Sequence, residues 1–174
     1  MLNRPQTLNR DDIARRIPHQ GSMCLLDTVL AWDKNQIRCQ TLSHLAPHHP
    51  LLAHGRLGAA CGVEYAAQAM AIHGALVAEN DDSDDSGDAG SAPPRAGYLA
   101  SMRNVTLFVE RLDTVVGPLT VNAERLTGDA NTVLYSFTVE SGVQNGAQTL
   151  LSGRAVVVLD TARIAPSPDK KTPP

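Results

Sequence analysis

Leu57 to Ala78, LGAACGVEYAAQAMAIHGALVA, decides the fold, because it offers about six helical turns with Glu64 as its only charged residue. A helix apolar on every side is expected to be buried on every side. Its length of about 22 residues is that of a membrane span. Most of it is Ala and Gly, however, which contribute little transfer energy, and Glu64, Gln68 and His73 would each be costly near a bilayer centre. The membrane reading is therefore rejected. Small residues such as Ala59, Gly62, Ala66 and Ala69 let neighbouring backbone come close, so something must wrap this helix.

Downstream, ENDDSDDSGDAGSAPPR (79–95) has the composition of a solvated acidic loop at about 80–95. Four strand-like runs follow: Gly97 to Glu110, Leu119 to Leu126, Val133 to Glu140 and Thr149 to Leu159. Their separators are short turn chemistry, which forces antiparallel neighbours. The Pro-rich tail, 165–174, is expected to be disordered. Upstream, Asn9 to Ile17 reads as a short helix ended by Pro18, with Asp11 and Asp12 early and Arg15 and Arg16 late. MCLLDTVLAWD from Met23 and QIRCQT from Gln36 read as a hairpin turning at Asp33-Lys34-Asn35, and SHLAPHHPLLAHG (43–55) as a loop. The elements add up to an α+β domain over 1–164, a six-stranded antiparallel sheet wrapped around one long central helix. This is the hotdog architecture.

Fifteen Lys and Arg against 18 Asp and Glu give a net charge of −3, which leaves no cationic excess for nucleic acid. MLNRPQTLNRDD carries no apolar run behind its basic residues, so a cytoplasmic protein is expected. Cys24, Cys39 and Cys61 lack CxxC spacing and read as reduced, buried thiols. His44, His48, His49 and His54 match no common zinc spacing, and no GxSxG, P-loop or dinucleotide glycine pattern occurs. No metal or cofactor is expected.

PHQGSMCLLDTV (18–29), the His-Pro loop and GVEYAAQAM (62–70) resemble, in that order, the beta-hydroxyacyl-acyl carrier protein dehydratases. GRLGAACGVEYAAQAMAIHG, GYLASMRNVTLFVERLD and GPLTVNAERLTGD are more similar to the dehydratase-like proteins of aryl polyene biosynthesis clusters. The resemblance covers roughly Ile13 to Leu159. It implies removal of water from a 3-hydroxyacyl chain on an acyl carrier protein, giving a trans-2-enoyl thioester in fatty acid or aryl polyene type biosynthesis. It also implies a homodimer or a heterodimer with a related subunit, the loop His and the helix carboxylate meeting across the interface.

Such an elimination needs a base for the C2 proton, an acid for the departing hydroxyl and donors for the enolate oxygen. Glu64, the lone carboxylate of an apolar helix, is the expected acid, its setting favouring the protonated form. Gln68, at i+4 on the same face, orients it or contacts the pantetheine arm. In the resembled enzymes the loop His stands fourteen positions before the acid, which here is Pro50. His49, one residue off, heads a His-Pro dipeptide followed by Leu51, suited to an acyl tunnel, and is preferred as base over His48, two residues off. His54 sits near the helix start, where it meets substrate or solvent. His19 reads as structural and His73 as a satisfied core residue. Leu57-Gly58-Ala59 replaces the family's Met-Pro-Gly run, and the backbone N–H groups of Gly58 and Ala59 are the expected donors to the thioester carbonyl. Arg56, Arg95 and Arg103 are the expected contacts to an acidic carrier. A hotdog thioesterase using Glu64 as base or nucleophile, and a non-catalytic acyl-binding partner subunit, are the alternatives.

Overall fold

The computed structural model describes residues 7–81, 97–129, 131–142 and 146–159. The expected acidic loop, apart from its first residues, and the Pro-rich tail lie outside them, as does Arg95. The described chain runs β1 (Leu8–Asn9), α1 (Arg10–Ala14), β2 (Thr28–Trp32), β3 (Gln36–Thr41), α2 (Gly62–Asp81), β4 (Gly97–Leu107), β5 (Leu119–Gly128), β6 (Thr132–Ser141) and β7 (Gln148–Leu159).

The sheet has seven strands, not six, in the order β1-β2-β3-β5-β6-β7-β4, every pair antiparallel. The extra strand is β1, whose second residue, Asn9, falls at the start of the segment expected to be a short helix. Asn9 closes β1 and caps α1: its side chain accepts the Asp12 N–H at 3.0 Å while the Asp12 carboxylate accepts the Asn9 N–H at 3.3 Å. The helix ends at Ala14, earlier than Ile17.

Strand periodicity sorts the sheet into two faces. Ile37 and Cys39 of β3, Val121 and Ala123 of β5, Tyr135, Phe137 and Val139 of β6 and Ala155 and Val157 of β7 are buried on the side that holds α2. Between Val139 and Glu140 the β6–β7 register slips, which makes Leu150 an extra residue and lets both Leu150 and Leu151 enter the core. α2 packs against β3, β5, β6 and β4, but not all round: Val63, Ala67, Ala71 and Gly74 are only half-buried. The expectation of burial on every side is thus met on one side only. A single sheet curls past about half of the helix circumference.

Candidate functional site

The loop between β3 and α2 is braced before its histidines are reached. The Thr41 hydroxyl donates to Leu25 O at 2.6 Å, the Leu42 N–H to the Asp27 carboxylate at 2.7 Å, and the Ser43 hydroxyl to Leu25 O at 2.7 Å. Ser43 Oγ then accepts from the Tyr65 hydroxyl, 3.0 Å away on α2. Buried His49 completes this chain. The Leu51 N–H donates to its Nδ1 at 3.1 Å, which puts the proton of the neutral ring on Nε2, and Nε2–H donates to the Tyr65 oxygen at 2.9 Å. Burial, and then the neighbouring His44, hold the His49 pKa below its usual value, and burial pushes the Tyr65 phenol up to about 12.

His49 therefore has no free lone pair in its neutral state, and its partner on the helix is Tyr65, not Glu64. In the single chain, then, His49, the expected base, has both ring nitrogens engaged within the fold. His48, the preceding residue, is exposed. The signal for this arrangement was the tyrosine after Glu64, one helical step of about 100° round the axis and so aimed at another wall of the fold.

Glu64 faces a different side of the helix. Gln68, fully buried one turn along, donates from Nε2 to Glu64 Oε1 at 3.0 Å and to Met23 O at 2.8 Å, and its Oε1 accepts the Leu25 N–H at 2.9 Å. Both amide hydrogens are committed by these contacts, and one of them goes to Glu64 as expected. Oε1 of Glu64 also lies 3.1 Å from His19 Nε2. The carboxyl is 32% exposed, so the apolar isolation expected for it is absent in the single chain. His19 is the residue that sequence reasoning passed over, because in its PHQ setting it reads as structural.

At the helix start, the Leu112 N–H donates to Leu57 O at 2.8 Å and the Ala59 N–H to Glu110 O at 3.0 Å. The Ala59 N–H is thereby committed, which corrects its assignment as a donor to substrate; the Gly58 N–H has no such partner among the described residues. His54 sits on an exposed two-residue turn between Ala53 and Arg56, with φ of 52° there and 70° at Gly55. Arg56 and Arg103 are both exposed. Arg103 of β4 stands directly opposite Arg154 of β7, and the two line a groove of about 650 Å³ with Ser101, Asn104 and Thr132. Like charges so placed repel unless an anion joins them. His73 donates from Nε2 to Asp33 O and accepts the Tyr135 hydroxyl at Nδ1, both at 2.8 Å, as a satisfied core residue does. Among the described residues no three His, Cys, Asp or Glu converge as metal ligands, and no helix is long and apolar enough to cross a membrane.

The ApeP-like family model, described as ApeP dehydratase, matches residues 11–164. The dehydratase heterocomplex ApeI:P from Xenorhabdus doucetiae matches with a TM-score of 0.66 at 21% identity, over 85% of this chain and 90% of that one. Zebra fish thioesterase superfamily member 2 matches at 0.53 and 12% identity, over 88% and 99%. A thioesterase from Haemophilus influenzae matches at 0.50 and 12% identity, over 76% of each chain. No curated protein sequence matches this chain.

Proposed function

Because this chain belongs to the ApeP-like dehydratase family, we propose that it removes water from 3-hydroxyacyl thioesters carried on an acyl carrier protein, giving trans-2-enoyl thioesters. One observation carries the reading: Glu64 stands on an accessible face of the central helix, with Gln68 fixing its orientation from behind. In this reading the Glu64 carboxyl gives its proton to the C3 hydroxyl, which departs as water. A histidine takes the C2 proton, the C2–H electron pair becomes the second bond of C2=C3, and the C3–O pair leaves with the water. The Gly58 N–H is the donor left for the thioester oxygen. His48, or His49 once released from Tyr65, supplies the base across an interface.

That interface is the second half of the proposal. β4 is one of the two edges of the sheet, and on its core-directed side Leu99, Met102 and Leu107 are 39, 45 and 47% exposed, with Phe108 beyond them at 55%. An open edge with this much apolar surface suits a second hotdog subunit, either a copy of this chain or a related one, and the ApeI:P heterocomplex is an example of the latter. The engagement of both His49 nitrogens supports a second reading, in which this subunit contributes Glu64 and its partner the base. Incubation with 3-hydroxyacyl and acyl carrier protein thioesters, alone and with a related hotdog subunit, tests both. Loss of water by mass supports the dehydratase, loss of the acyl chain identifies a thioesterase, and turnover only with the partner present identifies the half-site.

A further inference from the structure

We propose that His19 is the proton partner of Glu64, holding and recharging its carboxyl from within the same chain. The inference rests on the dehydratase reading for its catalytic meaning, but the contact itself is independent of it. His19 Nε2 lies 3.1 Å from Glu64 Oε1, and that is its ring's hydrogen-bonding contact among the described residues: Nδ1 is buried with no partner. An unpaired buried ring nitrogen costs about 1–3 kcal/mol. His49 and His73 have both nitrogens satisfied, and buried His44, whose Nδ1 is likewise without a partner, has its Nε2 on the backbone Val115 O. Among the described residues, the hydrogen bond of the His19 ring goes to the carboxylate of the site and not to the backbone.

The loop that delivers the ring is built to stay put. Pro18 fixes the backbone before it. Behind it, the Gln20 amide donates to Ala14 O at 2.8 Å and to Ile17 O at 3.2 Å, closing the end of α1. Arg10, paired with Asp27 at 2.8 Å, donates to Gly21 O at 3.2 Å. Gln68 then binds Met23 O and the Leu25 N–H with the same amide that holds Glu64, so one side chain registers the His19 loop and the carboxyl against each other. Two groups that exchange a proton must keep their distance through a cycle, and this bracing supplies that.

The proton balance is simple. The pair holds one proton between Nε2 and Oε1, as imidazolium with carboxylate or as imidazole with carboxylic acid. Delivery of that proton to the leaving hydroxyl forms water and leaves carboxylate beside neutral imidazole; one proton from solvent restores the pair. The C2 base meanwhile returns its proton to solvent. His19 touches no substrate atom and acts through Glu64, as a positioning residue.

The test is carboxyl carbon NMR of protein labelled at glutamate, with the Glu64 signal identified by its loss in Glu64→Gln, followed from pH 4 to 9 alongside the His19 ring signals. The proposal expects the Glu64 signal to respond in two steps, one of them coincident with titration of the His19 ring, and His19→Gln to remove that step. On carrier-bound substrate, His19→Gln is expected to lower kcat roughly tenfold or more with KM within about twofold, and to abolish one limb of the pH profile. A single-step Glu64 titration with no response in the His19 range would overturn the proposal, as would an unchanged pH profile in folded His19→Gln. The wild-type titration does not depend on the His19 variant, so a His19→Gln protein that failed to fold leaves it decisive. If coupled titration appears but no thioester is dehydrated, the pair stands and the dehydratase reading falls.

Discussion

At the scale of single residues the site divides between two faces of α2. Tyr65 ties the loop histidine His49 to the inside, and Glu64 one position earlier presents its carboxyl outward with Gln68 and His19. Glu64→Gln preserves volume and the bond to Gln68 but removes the exchangeable proton, so dehydration should fall about 10²-fold or more in a steady-state assay. His48→Ala should cost as much, whereas His49→Ala should lower stability first, since it leaves the Tyr65 hydroxyl without its donor. Undiminished turnover in both folded His variants would remove the loop from the chemistry. The Glu64 carboxyl and its i+4 amide were legible in the sequence because they share a helix and a spacing. His19 was not, because nothing in a loop sequence states which distant side chain its ring will meet.

At the scale of elements, the glycine at the first position of α2 shows how closely helix and sheet meet. A Cβ on Gly62 would lie 2.2 Å from Leu151 Cδ2, inside the core where Leu151 is fully buried. Alanine gains up to about 1 kcal/mol of helix propensity over glycine, but overpacking of this kind costs about 1–3 kcal/mol. Gly62→Ala should therefore destabilise, and in a Leu151→Ala background the penalty should disappear, as a double-mutant cycle in urea would reveal. Small residues at this face are expected to permit close approach, and Gly62 does so where the start of α2 meets Leu151 of β7. What the helix pattern did not convey was the half-covered stripe at Val63, Ala67, Ala71 and Gly74, because an all-apolar sequence carries no polar face to point at the gap.

For the whole molecule, three buried histidines govern the response to acid. Burial lowers the pKa of His44, His49 and His73 in the folded state. The unfolded chain then binds more protons below about pH 6.5, so stability is fully present above that pH and falls as pH drops through the folded values. Thermal midpoints should hold from pH 8 to 7 and decline from 6.5 to 5, with a shallower decline in His73→Phe. The open β4 edge predicts assembly: Met102→Lys should shift sedimentation from dimer to monomer, in the homodimer or in the complex with a related subunit. If Arg103 and Arg154 receive an acidic carrier, added salt should depress turnover on carrier-bound substrate far more than on a short pantetheine analogue, and Arg154→Ala should flatten that difference. Equal salt dependence would clear both arginines of that role.

Periodicity and composition alone determined the long apolar helix, the hairpin ahead of it and the four antiparallel runs behind it, since these depend on residues a few positions apart. The lone carboxylate with its amide one turn on belongs to the same local order. Tertiary structure decided which side chains fill the remaining bonds: that His49 spends both nitrogens on Leu51 and Tyr65, that the Ala59 N–H goes to Glu110, and that His19 comes to Glu64 from 45 residues away. Those pairings are settled when the sheet closes on the helix and buried polar groups must each find a partner across the core, a competition that no local stretch of sequence records.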